Sequence, residues 1–262
     1  MERTDYLKFN PEGSDLRKLQ LRELEMMCEI DRVCRKYSIP YWLSSGTALG
    51  AVRHGGFIPW DDDLDIEVLR KDYKRLLKLL EKDLPETMLV QTTTTDKYYI
   101  QQYAKIRDLT TEVTERDVTA NKYTYKGVFV DIFPMERVPK GIKRFSSKLY
   151  GQIFRLASYS KAYSYGLMRF YLFVLEKIIF PFLRLFSFLA PSDILQYSLG
   201  VGFLKERNKA DIFPLKEMNF EGKQFFVPNN INEYLSQHFG NYMTFPPLES
   251  IEQHITSVKF DK

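Results

Sequence analysis

The feature that most constrains this 262-residue chain is a short acidic run, Asp61-Asp-Asp-Leu-Asp-Ile-Glu-Val68, in which charge and hydrophobicity alternate from Asp63 onward. Successive side chains of a β-strand point to opposite faces. A strand here sets Asp63, Asp65 and Glu67 on one side and Leu64, Ile66 and Val68 on the other. One face packs and the other carries carboxylates. Two carboxylates at the start of a strand suit a hard divalent cation, Mg²⁺ or Mn²⁺, which takes oxygen ligands. Glu67 is expected to face solvent beyond the site, and Asp61 and Asp62 to cap or position the preceding loop.

An Asp-x-Asp pair alone more often marks a solvated loop, but two further patterns favour chemistry here. Fewer than twenty residues upstream, residues 41–45 read as a short strand running into Gly46, and 47–52 as a short helix of small residues. Such a strand, glycine turn and helix N-terminus can present backbone amides to a phosphate. Downstream, Asp131 is a lone acid in the apolar strand Gly127-Val-Phe-Val-Asp-Ile-Phe-Pro134. A buried carboxylate there needs a metal or a charged partner to offset its desolvation. Together these patterns suggest phosphoryl or nucleotidyl transfer.

The surrounding elements predict an α/β or α+β core with a mixed sheet. Apolar residues at Leu16, Leu19, Met27, Ile30 and Cys34 follow the candidate cap Ser14 at helical spacing, giving a helix over 15–37. Tyr73, Leu76, Leu77, Leu80 and Leu84 mark a second helix closed by Pro85, and strands are expected near 88–92, 99–106 and 127–133. Phe225-Phe-Val-Pro228 and Tyr234-Leu235 read as a strand, a turn and a short helix returning to the core.

Length allows one large domain or a core with an insertion. The charge surplus, 38 Lys and Arg against 34 Asp and Glu, is too small for a nucleic-acid binder as a whole. Its distribution is uneven: residues 137–175 hold eight Lys or Arg, nine aromatics and no Asp or Glu. The apolar stretch that follows, 170–190, is broken by Glu176, Lys177 and Arg184 and expected to kink at Pro181, which leaves it too interrupted to span a membrane. Two readings of 137–190 stay open: interfacial helices on an anionic membrane, or a helical subdomain packed on the core or on a second subunit. Cys28 and Cys34, six apart, suit neither a metal knuckle nor a redox pair and are read as reduced. His54, His238 and His254 are too scattered to suggest a zinc site by spacing. The first residues show no secretory signal, so a cytoplasmic protein is expected, with peripheral contact at the cytoplasmic face of the membrane as an option.

Residues 44–66, Ser-Ser-Gly-Thr-Ala-Leu-Gly-Ala-Val-Arg-His-Gly-Gly-Phe-Ile-Pro-Trp-Asp-Asp-Asp-Leu-Asp-Ile, resemble the signature of the LicD family of phosphocholine transferases, related to the fukutin group. Ala104-Lys-Ile-Arg-Asp108, Val130-Asp-Ile-Phe-Pro134, Phe225-Phe-Val-Pro-Asn-Asn230, Phe239-Gly-Asn-Tyr-Met243, Pro246-Pro247 and His254 extend the resemblance. It implies a nucleotidyltransferase-like mixed sheet flanked by helices, with a catalytic core over 1–136, a basic, aromatic helical insertion over 137–215 and a segment returning to the core over 216–262. It further implies metal-dependent transfer of a phosphorylated headgroup, phosphocholine foremost, from a CDP-linked donor such as CDP-choline. The acceptor is a hydroxyl of a cell-surface glycan, lipopolysaccharide or teichoic acid, or its lipid-linked precursor, and CMP is released.

In that pattern Asp63, Asp65 and Asp131 are the metal ligands and catalytic carboxylates. Asp131 is also the candidate proton acceptor, although a metal-lowered hydroxyl pKa makes a dedicated base dispensable. Ser45, Gly46, Thr47, Arg53, His54 and Lys105 are candidates for holding the donor. The small residue precedes the glycine, as Ser45-Gly46, where the fold's usual turn has it following, so Thr47 is the alternative hydroxyl. Arg53 offers a bidentate fork to phosphate and Lys105 a point charge, with a surface ion pair equally open for Lys105. His54 either bonds phosphate or fixes its loop, and Trp60 either faces a quaternary ammonium or anchors packing. Alternative cargoes are phosphoethanolamine, glycerol phosphate and ribitol phosphate. A true nucleotidyltransferase and a non-catalytic, Ca²⁺-dependent glycan-binding module are the competing classes.

Overall fold

The computed structural model describes residues 6, 8–158, 162–188 and 193–260. The first five residues, on which the reading of no signal rests, and Tyr159 and 189–191 of the aromatic stretch lie outside them. The first helix, α1 (Asp15–Lys36), starts where the Ser14 side chain accepts the Arg17 N–H, and it buries Leu19, Met27, Ile30 and Cys34. Next come β1 (Tyr41–Leu43), α2 (Ser45–His54), β2 (Leu64–Leu69) and α3 (Arg70–Asp83). The strands β3 (Met88–Gln91), β4 (Ala104–Asp108), β5 (Glu112–Glu115) and β6 (Phe129–Glu136) follow.

The basic, aromatic region forms a helical layer, α4 (Lys140–Ser158), α5 (Ala162–Val174) and α6 (Phe180–Phe188), with a π-helical turn over Leu175–Ile179. Where the sequence predicts a kink at Pro181, the chain places that π turn immediately upstream. Such turns absorb the missing N–H and the steric demand of a proline inside a helix. Strands β7 (Ile194–Tyr197) and β8 (Glu206–Asn208), helix α7 (Lys209–Ile212), a hairpin of β9 (Lys216–Phe220) and β10 (Lys223–Val227), helix α8 (Ile231–Phe239) and β11 (Ile255–Lys259) complete the chain.

The main sheet has seven strands in the order β1-β2-β6-β4-β3, with β7 paired to the end of β6 and β8 to β7. Only β2 and β6 run parallel, so the sheet is mixed and flanked by helices, in keeping with a nucleotidyltransferase-like fold. Five strands escape the sequence reading, β5, β7, β8, β9 and β11, because each is only three to five residues long, and β5 and β11 find each other about 140 residues apart. The register matters most for the site. It sets Asp65 opposite Asp131 on one side of β6 and Lys105 opposite Asp131 on the other. Adjacent strands direct opposed residues to the same face. An Asp–Asp–Lys row therefore crosses three strands on one face, while Leu64, Ile66, Val130, Ile132, Ala104 and Ile106 pack with α1 and α3 on the other.

The helical layer has its own core, built from Tyr150, Ile153, Met168, Leu172, Leu175 and Phe180 and joined to the rest through Ile100, Val138 and Leu199. Among the described residues, no helix is long and apolar enough to cross a membrane.

Candidate active site

A cavity of about 970 Å³ opens over the Asp–Asp–Lys row. Its wall includes Ser45 and Gly46 at the start of α2, Asp61, Asp63 and Asp65 at the start of β2, Lys105 and Asp131 from the sheet, and His254 before β11. Helix α2 starts two residues earlier than the glycine turn predicts, and its first residue, Ser45, takes a φ of 46°. The left-handed conformation therefore falls on the serine, a position that favours glycine. Gly46 is required for another reason: a Cβ there would sit 2.7 Å from Asp61 Oδ2. The Thr47 hydroxyl accepts the Asp65 N–H at 2.9 Å, and the Ser44 N–H donates to the Asp65 carbonyl at 3.0 Å. Thr47 thus ties α2 to β2 from behind and does not line the cavity.

The carboxylates form a concentrated negative centre. Burial first, then the neighbouring Asp63 and other acids, pushes Asp61 and Asp65 well above the ordinary carboxylate range. Burial also raises Asp63, with His254 pulling against it. Asp131 is pushed up to about 6 by burial, opposed by Lys105, whose Nζ lies 2.9 and 3.0 Å from its two oxygens. Beneath them, Glu23 of α1 is fully buried with neither carboxylate oxygen hydrogen-bonded, and burial followed by the aspartates drives it well above its usual range. A neutral acid fits that position. On an amphipathic helix Glu23 reads as a solvated charge, so the sequence carries no signal for it.

This donor set fits a hard divalent cation. Asp61, Asp63, Asp65 and Asp131 line one cavity, with Lys105 beside Asp131 and His254 beside Asp63. One set of three His, Cys, Asp or Glu donors closes to within 4.8 Å among the described residues, namely Asp62, Asp63 and His254. Asp63, Asp65 and Asp131 do not close as a group, in keeping with the pairing of Asp131 to Lys105 and the mutual repulsion of the acids. We read the tighter set as a strut. His254 Nδ1 donates to Asp62 Oδ1 at 3.1 Å, the Ile255 N–H donates to Asp62 Oδ2 at 2.6 Å, and the Asp62 bond lifts His254 to about 9. A cation on His254 would have to displace that proton.

The remaining candidates divide. Lys105 is buried in the site and pairs with Asp131, so it does not form the surface ion pair left open above. Arg53 lines the cavity but spends its donors on the Tyr242 carbonyl, at 2.9 Å, and on His54 Nε2, at 3.0 Å, and its guanidinium stacks 4.6 Å from the Phe245 ring. His54 lies outside the cavity lining, edge-on to Trp60 and Phe245. Trp60 packs against Tyr6, Phe9 and Phe245, as an anchor would. Glu67, expected in solvent, is instead fully buried: Trp42 Nε1 donates to it at 2.7 Å, the Tyr234 hydroxyl at 3.3 Å, and Arg207 lies 3.7 Å away. The side of β2 opposite the core is covered by later elements that periodicity cannot reveal.

Four aromatic residues that the sequence reading passed over share a wall of the cavity: Tyr103, Phe133, Tyr197 and Phe203. Their ring centroids lie 4.4 Å apart for Tyr103 and Phe133, 5.4 Å for Phe133 and Tyr197, and 5.5 Å for Tyr197 and Phe203. They come from two strands and two loops, and no local pattern marks them.

Comparison with known proteins agrees with this architecture. Residues 38–145 match the family model described as LicD/FKTN/FKRP, nucleotidyltransferase domain. The chain is 31% identical over 258 residues to the lipopolysaccharide cholinephosphotransferase LicD of Haemophilus influenzae, covering 91% of this chain and 97% of that protein. Shorter similarities reach the ribitol-5-phosphate transferase FKTN of Mus musculus, 36% identical over 66 residues covering 24% and 14% of the two chains, and the ribitol 5-phosphate transferase FKRP of Homo sapiens, 50% identical over 34 residues covering 13% and 7%. With near end-to-end similarity to one characterised transferase and a matching nucleotidyltransferase domain around the acid-lined cavity, the chain belongs to the LicD family.

Proposed function

We propose that the protein transfers phosphocholine from CDP-choline to a hydroxyl of a cell-surface glycan or its lipid-linked precursor, releasing CMP. The observation that carries this reading is the Asp65–Asp131–Lys105 row at the floor of a cavity whose adjoining wall is aromatic. Mg²⁺ or Mn²⁺ held by Asp63, Asp65 and Asp131 would neutralise the diphosphate and the entering and leaving oxygens. Asp131, at about 6, is ionised at neutral pH and accepts the proton of the acceptor hydroxyl. The hydroxyl oxygen bonds to the choline-bearing phosphorus as the bond from that phosphorus to the bridging oxygen breaks. CMP leaves with the electron pair.

The other residues of the chain orient the donor. Ser45 and Gly46 bring the amides of the ten-residue α2 to the cavity, where a helix N-terminus receives phosphate. Lys105 adds a fixed positive charge beside Asp131. Arg53, His54 and Thr47 hold the wall and the β2 strand in place and leave the phosphate to those groups. Tyr103, Phe133, Tyr197 and Phe203 face the headgroup, and a wall of aromatic rings favours a quaternary ammonium over a neutral polyol by cation–π attraction.

A panel of CDP-choline, CDP-ethanolamine, CDP-glycerol and CDP-ribitol, incubated with the protein, Mg²⁺ or Mn²⁺ and a glycan acceptor, tests the reading through CMP release. CDP-choline is expected to be turned over fastest. A preference for CDP-ribitol would overturn the headgroup assignment. Absence of CMP release from every donor, together with Ca²⁺-dependent glycan binding, would overturn the enzyme.

A further inference from the structure

The helical layer carries a second apolar surface that its own core does not use. From Leu167 to Phe188 the inward side chains, Met168, Leu172, Leu175, Phe180 and Ser187, alternate with a solvent-facing stripe. That stripe comprises Leu167, Phe170, Phe173, Ile178, Phe182, Leu185, Phe186 and Phe188, each between 49% and 83% exposed. Spacings of three and four keep it on one side of the helix, except from Phe173 to Ile178, where the step is five. The same step of five separates Leu175 from Phe180 on the inner side. Both fall on the π turn Leu175–Ile179, whose i→i+5 geometry accommodates one extra residue per turn and so carries both faces through in register. A soluble helix that is apolar on both faces is uncommon, and an exposed apolar strip of this length marks an interaction surface.

Charge around the strip identifies what covers it. Between residues 137 and 192 the sequence contains one acid, Glu176. Its carboxylate turns inward and accepts hydrogen bonds from Gln102 Nε2 at 2.6 Å and Thr93 Oγ1 at 3.2 Å. The exposed charges of the layer among the described residues, Lys140, Arg144, Lys148 and Arg155 on α4 and Lys177 within the strip, are all positive. A second copy of the chain would oppose cation to cation across an isologous contact. An anionic bilayer supplies both an apolar interior for Phe and Leu and negative headgroups for Lys and Arg.

We infer that α5 and α6 dock on the surface of an anionic phospholipid bilayer, with the outer phenylalanines in the acyl boundary and the α4 cations at the headgroups. The layer is coupled to the cavity: Phe180 packs so closely on Gly200 that a Cβ there would meet its ring at 2.8 Å, and the loop that follows carries Phe203 and Lys205 into the cavity wall. Docking therefore positions the cavity mouth near lipid-linked glycan. No side chain of the strip lines the cavity, so the inference stands or falls separately from the activity proposed above.

The test is co-sedimentation of the full chain with vesicles of phosphatidylglycerol and phosphatidylcholine, and with vesicles of phosphatidylcholine alone, at low and high salt. Wild type is expected to pellet with the anionic vesicles, less so at high salt. The quadruple variant Phe170→Ser, Phe173→Ser, Phe182→Ser and Phe186→Ser should lose at least about tenfold in vesicle affinity. Because all four positions are exposed, its circular dichroism spectrum and its CMP release with a soluble acceptor should match wild type. The triple variant Arg144→Glu, Lys148→Glu and Arg155→Glu should lose the preference for anionic lipid. Wild type remaining in the supernatant, or pelleting of the quadruple variant equal to wild type, would overturn the inference. So would a wild-type dimer in analytical ultracentrifugation that the quadruple variant abolishes in the absence of vesicle binding.

Discussion

The cavity floor and the outer face of α5 and α6 depart from ordinary protein patterning in opposite senses. On the floor, burial raises the pKa values of Asp61, Asp65 and Asp131, and the last two occupy positions that a strand of this sheet would otherwise fill with apolar side chains. On the helices, eight large apolar side chains stand in water where a surface helix would carry charge. Natural sequences agree with their folds at most levels, and places where they disagree tend to be functional. The two departures differ in what relieves them. A cation would relieve the first, and a nonpolar phase the second. One fits a small, hard ligand; the other fits an extended, soft one.

The largest expected effect separates function from stability at the floor. Under the proposed function Asp65→Asn should lower CMP release by about 10³-fold or more, since it removes a carboxylate that would hold the cation neutralising the diphosphate. The same substitution should stabilise the protein in EDTA. Asp65 ionises near 3.9 when unfolded and well above that when folded, so the folded state holds more protons as pH rises from about 4. Stability of the metal-free wild type then falls across that window, and Asp131, at about 6, extends the fall toward neutrality. Thermal melts in EDTA should show Asp65→Asn melting about 3 °C above wild type at pH 7, equivalent to about 1 kcal/mol, with the gap closing toward pH 4. Saturating Mg²⁺ should reverse the order. A variant melting below wild type at pH 7 in EDTA would mean that Asp65 is a structural group and that the comparison with the helical face fails.

A smaller effect is expected on the aromatic wall, the one part of the cavity that resembles the helical face in composition. Phe203 is 51% exposed and lies on the loop between β7 and β8, so Phe203→Leu should leave the fold intact. Losing one ring from a cation–π wall is worth about 0.5–2 kcal/mol. KM for CDP-choline should rise roughly 3- to 30-fold by the same free energy, with kcat nearly unchanged and with CDP-glycerol unaffected. Equal losses for the charged and neutral headgroups would assign the wall to general packing.

How much of this was legible in the sequence follows from the range of the interactions. The alternation in Asp63-Leu-Asp-Ile encodes the division of β2 into a core face and an acid face, because period-two patterning is local. Gly46 reads as a turn but is the second residue of α2, and nothing local reveals the Asp61 carboxylate that forbids a side chain there. Glu67 belongs to the same alternation and was misread, because Trp42, Tyr234 and Arg207 reach it from 25, 167 and 140 residues away along the chain. His254 was one of three scattered histidines until the pairing of β11 with β5 brought it beside Asp62. In the helical layer the composition already announces a basic, aromatic surface. Only the fold sorts its apolar residues into those that pack and those that wait for a partner.

The smallest expected effect concerns the strut, and it decides between two ligand sets. The Asp62 hydrogen bond raises His254 from about 6.5 unfolded to about 9 folded. A group raised in this way adds stability that is fully present below pH 6.5 and is lost as pH climbs through 9. The imidazole is 68% exposed, so solvent screening holds its contribution to below about 0.5 kcal/mol. The Ile255 N–H bond to Asp62 survives removal of the ring and keeps β11 in place. His254→Ala should therefore melt only about 1 °C below wild type at pH 6 and indistinguishably from it at pH 10, and a ring titration by NMR should give a midpoint raised above the unfolded value in wild type. Mg²⁺ affinity, read from the metal-induced rise in melting temperature, should be nearly unchanged in His254→Ala and lost in Asp63→Ala. If both variants lose it equally, the cation belongs to Asp62, Asp63 and His254. The row across the sheet would then serve the acceptor hydroxyl alone, with Lys105 as the partner that keeps Asp131 ionised.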